Sequence, residues 1–181
     1  MIKALVHAGA CAAAVLALAS CSATGSPKAA DIQSPSVGSA QATDPSGLFP
    51  KGHLGSKDFF TGTGWVTALL VRPGIDNIAN VAFEPRSRTF WHTHQVGQVL
   101  IVTEGQGLYQ ERGKQAQLIK KGDVINTAAH VEHWHGATAT TGMTHIAVTN
   151  FQGDQLVTWL GPVTDEEFAQ ANTSPQAWIT K

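Results

Sequence analysis

Hydrophobic residues fall into short runs from Phe59 onward, separated by glycine, proline and asparagine. Short runs with turn residues between them are typical of the strands of an all-β sandwich or barrel. We therefore predict one β domain in this part of the chain. The predicted strands are Trp65–Val71, Ile78–Phe83, Val99–Val102, Gln117–Ile119, Val124–Ile125, Thr144–Val148 and Leu156–Leu160.

Turn and cap residues complete this prediction. The segments Glu111–Lys114 and Lys121–Asp123 have the glycine and charged residues of hairpin turns. A helix is predicted after Thr164, because Glu167 follows it by three positions in a capping-box pattern. Phe168 would then pack the helix against the barrel.

The first 20 residues have a different character. Lys3 is followed by a stretch rich in alanine and leucine that is too short for a membrane-spanning helix, which needs about 20 residues. This pattern is typical of a secretory signal peptide. The end of the stretch, Leu18-Ala19-Ser20-Cys21, resembles the bacterial lipobox. The resemblance implies lipidation of Cys21, whereas a plain secretory signal would leave that cysteine incidental.

This resemblance also gives an expected location and domain organisation. A lipid on Cys21 would anchor the protein to the bacterial cell envelope. Ser22 resembles the sorting signal for the periplasmic face of the outer membrane in a Gram-negative cell. We divide the chain into a signal peptide (1–20), a flexible tether rich in serine, alanine and proline (21–52), and the β domain (53–181).

The charge composition of the chain bears on what kind of molecule the protein binds. The chain has 181 residues, a net charge of -1 and 14% charged residues, which argues against a nucleic-acid-binding protein. We expect a small-molecule partner, and this expectation rests on the histidines and the family resemblance given below rather than on the charge. The feature of the composition that points to a function is histidine. Six of the eight histidines lie between residues 92 and 145.

The spacing of these histidines predicts a metal site. Residues two apart in a strand point to one face, so His92 and His94 form one pair and His133 and His135 another. Gln98 keeps the parity of the first pair if strand pairing is regular, and His145 lies on a further strand. Imidazole suits zinc, copper, iron, nickel or manganese, and an oxygen ligand favours harder metals. Each histidine taken alone could instead be a hydrogen-bonded core residue.

At these residues the sequence resembles the cupin superfamily. The first motif reads Trp91-His92-Thr93-His94-Gln95-Val96-Gly97-Gln98, and the second ends in His133-Trp134-His135-Gly136-Ala137. The resemblance implies a jelly-roll barrel, that is, a double-stranded β-helix, with one divalent metal per chain. It also implies that His92, His94, Gln98 and His133 are metal ligands and that His135 and His145 move protons. Trp91 and Trp134 would point to the opposite face and pack.

The resemblance is greatest to small bacterial cupins that include manganese-dependent hydroxynitrile lyases, in which glutamine also replaces the usual glutamate. It implies manganese, with iron, zinc, nickel or copper as alternatives, a lyase activity on a cyanohydrin, and a homodimer. Two alternatives stay open: an iron dioxygenase of the quercetinase type, and a non-catalytic binding lipoprotein. The chain departs from the motifs at four positions: Arg86, Gln95, Ala128 and His130. His130 replaces a glycine and is expected to be an exposed turn residue.

Overall fold

The computed structural model of the protein describes residue 45 and residues 47–153 and 155–179. The predicted signal peptide, Cys21 and most of the predicted tether lie outside these residues, so those predictions stand as expectations. Within the described part, no helix is both long and apolar enough to span a membrane.

The described residues form short strands and one helix, α1 (Asp165–Thr173). The strands are β1 (His53–Leu54), β2 (Phe60–Thr61), β3 (Gly64–Arg72), β4 (Asp76–Phe83), β5 (Arg88–Thr89), β6 (His92–Thr93), β7 (Gln98–Glu111), β8 (Gln117–Lys120), β9 (Val124–Thr127), β10 (His133–Ala137), β11 (Met143–Asn150), β12 (Thr158–Trp159) and β13 (Gln176–Ala177).

The strands curl into a half-barrel of two sheets, which confirms the predicted all-β jelly-roll class. The first sheet has the order β1-β3-β4-β11-β7-β9, with antiparallel neighbours throughout. The second has the order β2-β5-β10-β7-β8, with β6 also beside β10 and β12 beside β6. At its edge β13 pairs in parallel with β8. The long strand β7 therefore belongs to both sheets.

Gly105 is the point at which β7 passes from one sheet to the other. Gly105 pairs with Met143 of the first sheet, and the next residue, Gln106, pairs with Lys120 of the second. The backbone of Gly105 has φ 73°, a left-handed conformation that side chains disfavour. A Cβ atom there would lie 2.0 Å from the carbonyl oxygen of Gly142.

Replacing Gly105 with alanine should destabilise the domain by about 2–5 kcal/mol, since conformational strain and a backbone clash both contribute. Gly113 provides a matched control, because its φ is 75° and a Cβ there would meet nothing within 4 Å. Gly113→Ala should cost only about 1–2 kcal/mol. Urea unfolding of both variants measures the difference, and equal losses would refute the role of Gly105 at the sheet junction.

Most predicted strands are confirmed. Two predicted strands differ in extent, and one of the two predicted hairpin turns is wrong. The run Val99–Val102 belongs to the longer β7, which continues past Gly105 and pairs with β8 from Gln106 to Tyr109. The run Leu156–Leu160 contributes only β12, since Leu156 and Val157 line a cavity as loop residues. The turn Lys121–Asp123 joins β8 to β9, which both pair with β7 rather than with each other.

The helix begins as predicted. The backbone N–H of Glu167 donates to Thr164 Oγ1 (3.1 Å), and that of Thr164 donates to Glu167 Oε2 (2.8 Å), which completes a capping box. Phe168 is buried and packs near the Trp134 ring, 6.1 Å between centroids. Trp91 is buried in the same cluster beneath α1. Strand β10 is therefore covered on both faces, by α1 outside and by the barrel interior inside.

Candidate metal centre

Two neighbouring strands of the second sheet bring the paired histidines together. His92 of β6 and His133 of β10 are direct cross-strand partners, and their ring centroids are 4.2 Å apart. His94 follows β6 directly, with its ring 5.1 Å from that of His92 and 5.6 Å from that of His133. The predicted alternation is confirmed on the other face, where Trp91 and Trp134 pack under α1.

Gln98 reaches these histidines by a different route from the predicted one. The chain turns after His94, and Gly97 has φ 83°, so Gln98 does not continue β6. It opens β7 in the first sheet, where it pairs with Thr149. Its Oε1 lies 3.1 Å from His133 Nε2, and its side chain also interacts with His92 and His94. The prediction assumed regular strand pairing from His92 to Gln98, and this assumption was wrong. The structure nevertheless brings Gln98 together with His92, His94 and His133.

Backbone carbonyls orient these three rings. His92 Nδ1 lies 2.9 Å from the oxygen of Phe90, and His133 Nδ1 lies 2.9 Å from that of Val131, in each case two residues earlier. His94 Nδ1 lies 2.8 Å from the oxygen of Leu156, which is 62 positions away. A carbonyl can only accept, so each Nδ1 carries the proton and each Nε2 keeps a lone pair.

Burial keeps the histidines neutral. It lowers the pKa of His133 to about 4 and that of His145 to about 3. Burial also lowers the pKa of His94, and it lowers those of His92 and His135 well below the ordinary value. The neighbouring imidazoles of His133 and His94 lower the pKa of His92 further. At pH 7 all five rings are therefore neutral, the state in which imidazole binds a metal.

The donor set suits a divalent cation. His94 Nε2 is buried without a hydrogen-bond partner, which is costly for a polar atom unless something positive binds it. Gln98 Oε1 and His133 Nε2 face each other as two acceptors, a contact that repels unless a cation lies beside both. Three imidazole nitrogens and one amide oxygen match the ligands of manganese or iron as well as zinc.

His135 allows a second grouping. Its ring lies 5.3 Å from that of His92 and 6.1 Å from that of His133. The potential ligand atoms of these three residues all lie within 4.8 Å of one another, so they too could hold an ion. His135 differs from His92, His94 and His133 because its Nδ1 is buried without a partner, so no carbonyl orients it.

A small cavity opens beside these residues. It has a volume of about 130 Å³ and is lined by His92, His94, Gln98 and His135 together with apolar side chains. None of the described residues that line it carries a formal charge at pH 7. The remaining lining residues are Phe60, Val66, Asn77, Ala79, Val81, Thr89, Ala147, Thr149, Leu156, Val157 and Trp159.

His145 lies behind His135 rather than at the cavity wall. Its ring is 4.8 Å from that of His135 and stacks on Phe83 at 5.8 Å. It is fully buried, and neither ring nitrogen has a hydrogen-bond partner. Of the two residues predicted to move protons, His135 alone lines the cavity.

Comparisons with known proteins establish the family of the chain. The cupin domain family matches residues 79–149, a range that includes all six of the predicted metal and proton-transfer residues. An (R)-mandelonitrile lyase from Granulicella tundricola is 43% identical over 116 residues, which cover 63% of this chain and 88% of that protein. The chain belongs to the cupin superfamily.

The cupin fold is also supported by a solved structure. A cupin-like protein from Thermotoga maritima is 44% identical to this cupin, and the two superpose with a TM-score of 0.68. The match covers 70% of this chain and 97% of the other. The similarity therefore extends across the whole barrel rather than the histidine motifs alone.

Two departures from the cupin motifs keep the backbone shape of the residue they replace. Arg86 and His130 stand where cupins usually have glycine, and both have a positive φ, 71° and 62°. His130 is exposed, as expected, and its backbone N–H donates to the carbonyl oxygen of His94 (2.8 Å). This turn residue therefore supports the site through its backbone.

Sequence reasoning missed the residues that shape the cavity. Trp159 stacks on Phe59 at 4.7 Å and lies 4.9 Å from the His92 ring. Thr149 accepts a hydrogen bond from Gln98 Nε2 (3.2 Å). A sequence pattern does indicate the position of Thr149. It follows His145 by four residues on one strand, so the two side chains point to the same face. No local pattern indicates the position of Trp159, because long-range folding places it there.

Proposed function

We propose that this cupin is a divalent-metal-dependent lyase that splits a small neutral aromatic cyanohydrin, such as mandelonitrile, into an aldehyde and hydrogen cyanide. One observation carries the proposal: a small, uncharged, largely apolar cavity is lined by three of the four neutral donors and by an unanchored histidine. The fourth donor, His133, has its Nε2 3.1 Å from Gln98 Oε1. The similarity to an (R)-mandelonitrile lyase supports the choice of substrate.

His92, His94, His133 and Gln98 are the proposed ligands. The carbonyls of Phe90, Leu156 and Val131 orient the three rings with Nε2 unprotonated, as the hydrogen-bond partners of ligand histidines do in metal sites generally. His135 lacks such a partner and is left for the substrate. A divalent ion held by this set supplies Lewis acidity, which is greater because the amide of Gln98 adds no negative charge. We propose manganese as that ion.

His135 is the proposed proton carrier. Its neutral imidazole accepts the proton of the cyanohydrin hydroxyl, the oxygen's electrons form the carbonyl, and the bond to the nitrile carbon breaks. The departing carbon keeps the electron pair and leaves as cyanide. Burial lowers the pKa of His135, which favours transfer of the proton from the imidazolium to cyanide. The histidine thus returns to its neutral state.

The cavity walls support a neutral, compact substrate. Side chains such as Phe60, Val66 and Trp159 offer apolar and aromatic surface, while none of the described lining residues is a lysine or arginine that would bind a carboxylate. The volume of about 130 Å³ is below the usual range for drug-sized ligands. A flavonol with three rings is a poorer match to this space than a cyanohydrin with one, so the lyase is favoured over a quercetinase-type reaction.

Cyanide release from mandelonitrile tests the proposal. The purified protein loaded with Mn²⁺ should release cyanide and benzaldehyde in equal amounts, at a rate proportional to protein concentration. The metal-stripped protein and the same concentration of free Mn²⁺ serve as controls. A rate no higher than that of free Mn²⁺ would reject the lyase, and retention of mandelonitrile without product would favour a binding protein.

A further inference from the structure

Thr89 lines the cavity beside His135, yet the proposed reaction gives it no part. It lies on β5, directly opposite Phe60 of β2, and it is buried, with 2% exposure. The backbone N–H of His135 donates to Thr89 Oγ1 over 3.2 Å. This hydrogen bond fixes the hydroxyl group next to the proposed proton carrier.

The same hydrogen bond leaves the hydroxyl proton of Thr89 available. A backbone N–H can only donate, so Thr89 Oγ1 accepts in this contact and its own O–H remains to donate. Among the described residues no nitrogen or oxygen accepts from this O–H, and the neighbouring His135 Nδ1 has no hydrogen-bond partner. Because an unsatisfied buried donor is costly, a ligand that brings an acceptor to this position gains affinity.

The proposed reaction indicates which atom of the ligand this is. His135 accepts the proton of the cyanohydrin hydroxyl, so the nitrile nitrogen is the polar atom that still lacks a partner. A nitrile nitrogen accepts hydrogen bonds and donates none. When the carbon–carbon bond breaks, negative charge develops on the departing cyanide, and a fixed donor at its nitrogen stabilises that charge.

We propose that the Thr89 hydroxyl is a catalytic group that donates a hydrogen bond to the nitrile nitrogen and holds the leaving cyanide beside His135. This inference rests on the proposed function. Thr89 transfers no proton itself, because the proton that cyanide receives comes from His135. Its place next to that ring keeps the leaving group within reach of the proton.

Two unreactive probes test the proposal by binding rather than by turnover. Phenylacetonitrile has the ring and the nitrile without the hydroxyl, and benzyl alcohol has the ring and the hydroxyl without the nitrile. Thr89→Val keeps the shape of the side chain but removes its O–H. Affinity for phenylacetonitrile should fall about 3- to 10-fold, the contribution of one hydrogen bond, and affinity for benzyl alcohol should stay unchanged.

Calorimetric titration of the Mn²⁺-loaded protein measures both dissociation constants. Thr89→Ser keeps the hydroxyl and should bind both probes as the native protein does. Thr67→Val is the matched control, because Thr67 Oγ1 likewise accepts a backbone N–H, from Gly52 at 2.9 Å, but does not line the cavity. It should leave both constants unchanged. Turnover of mandelonitrile in Thr89→Val should fall on the order of 10²-fold.

The outcomes separate this inference from the proposal on which it rests. An equal loss of affinity for both probes in Thr89→Val overturns the inference, because Thr89 would then act through the position of His135. Unchanged binding of phenylacetonitrile also overturns it, as does a native protein that does not bind this probe. A native protein that binds phenylacetonitrile but releases no cyanide from mandelonitrile rejects the lyase. In that case a selective loss of nitrile binding in Thr89→Val still supports the nitrile site.

Discussion

Replacing both His92 and His94 with alanine should abolish metal binding. The native protein is expected to hold close to one divalent ion per chain, and the double variant close to none. Structural zinc sites with four ligands have apparent binding free energies of roughly 10–16 kcal/mol in zinc-finger peptides, which shows how much each ligand contributes. The loss of two of four ligands should therefore lower affinity by about 10⁴-fold or more. Elemental analysis of both purified proteins measures the difference.

His53 provides the matched control, because it is an exposed histidine on β1 outside the site. His53→Ala should retain the metal at the native level. Full metal content in the double variant would contradict the ligand assignment, and a loss of metal in His53→Ala would indicate that the measured ion is bound elsewhere on the surface.

The second large effect is expected at His135. His135→Gln keeps a polar side chain of similar size in the cavity but cannot carry a proton at neutral pH. Because general acid–base assistance contributes about 10²–10⁴-fold, turnover of mandelonitrile should fall by that factor. Metal content should stay near the native level, since His135 is outside the proposed ligand set. Cyanide release and elemental analysis on the same sample separate the two properties.

His145 gives the comparison for this substitution. It undergoes the same imidazole-to-amide change in His145→Gln but lies behind His135, away from the cavity. Its loss should therefore slow turnover less than that of His135. A greater effect at His145 would transfer the proton-carrying role to it. A loss of metal in His135→Gln would instead support the alternative grouping of His92, His133 and His135.

The part of the site that could be predicted from sequence is the part governed by strand periodicity. Alternation along a strand puts His133 and His135 on one face of β10 and turns Trp134 to the other, as the geometry of two residues per repeat requires. The strands β6 and β10, which carry His92 and His133, are absent from the predicted hydrophobic runs, and the spacing of the histidines alone indicates them. The all-β class required only the length and spacing of the hydrophobic runs.

The other features of the site depend on long-range contacts, which a local sequence pattern does not indicate. Gln98 arrives from the other sheet because the chain turns at Gly97. Leu156 reads as strand by its hydrophobicity, yet it lies in a loop at the cavity wall because the barrel interior offers the same apolar environment. The strand parity given for His145 is correct. Its position behind His135 depends instead on how β11 and β10, which belong to different sheets, lie relative to each other.

The support of His94 differs from that of the other two proposed ligand histidines. The carbonyl groups that orient His92 and His133 belong to the same short peptides as the rings, so those peptides carry both the ligand and its support. The carbonyl that orients His94 comes from Leu156, in the loop before β12. A cupin with an intact His-x-His motif but a shortened or lengthened loop would hold two oriented rings rather than three. A motif search alone would therefore overcount the chains able to bind a metal in this way.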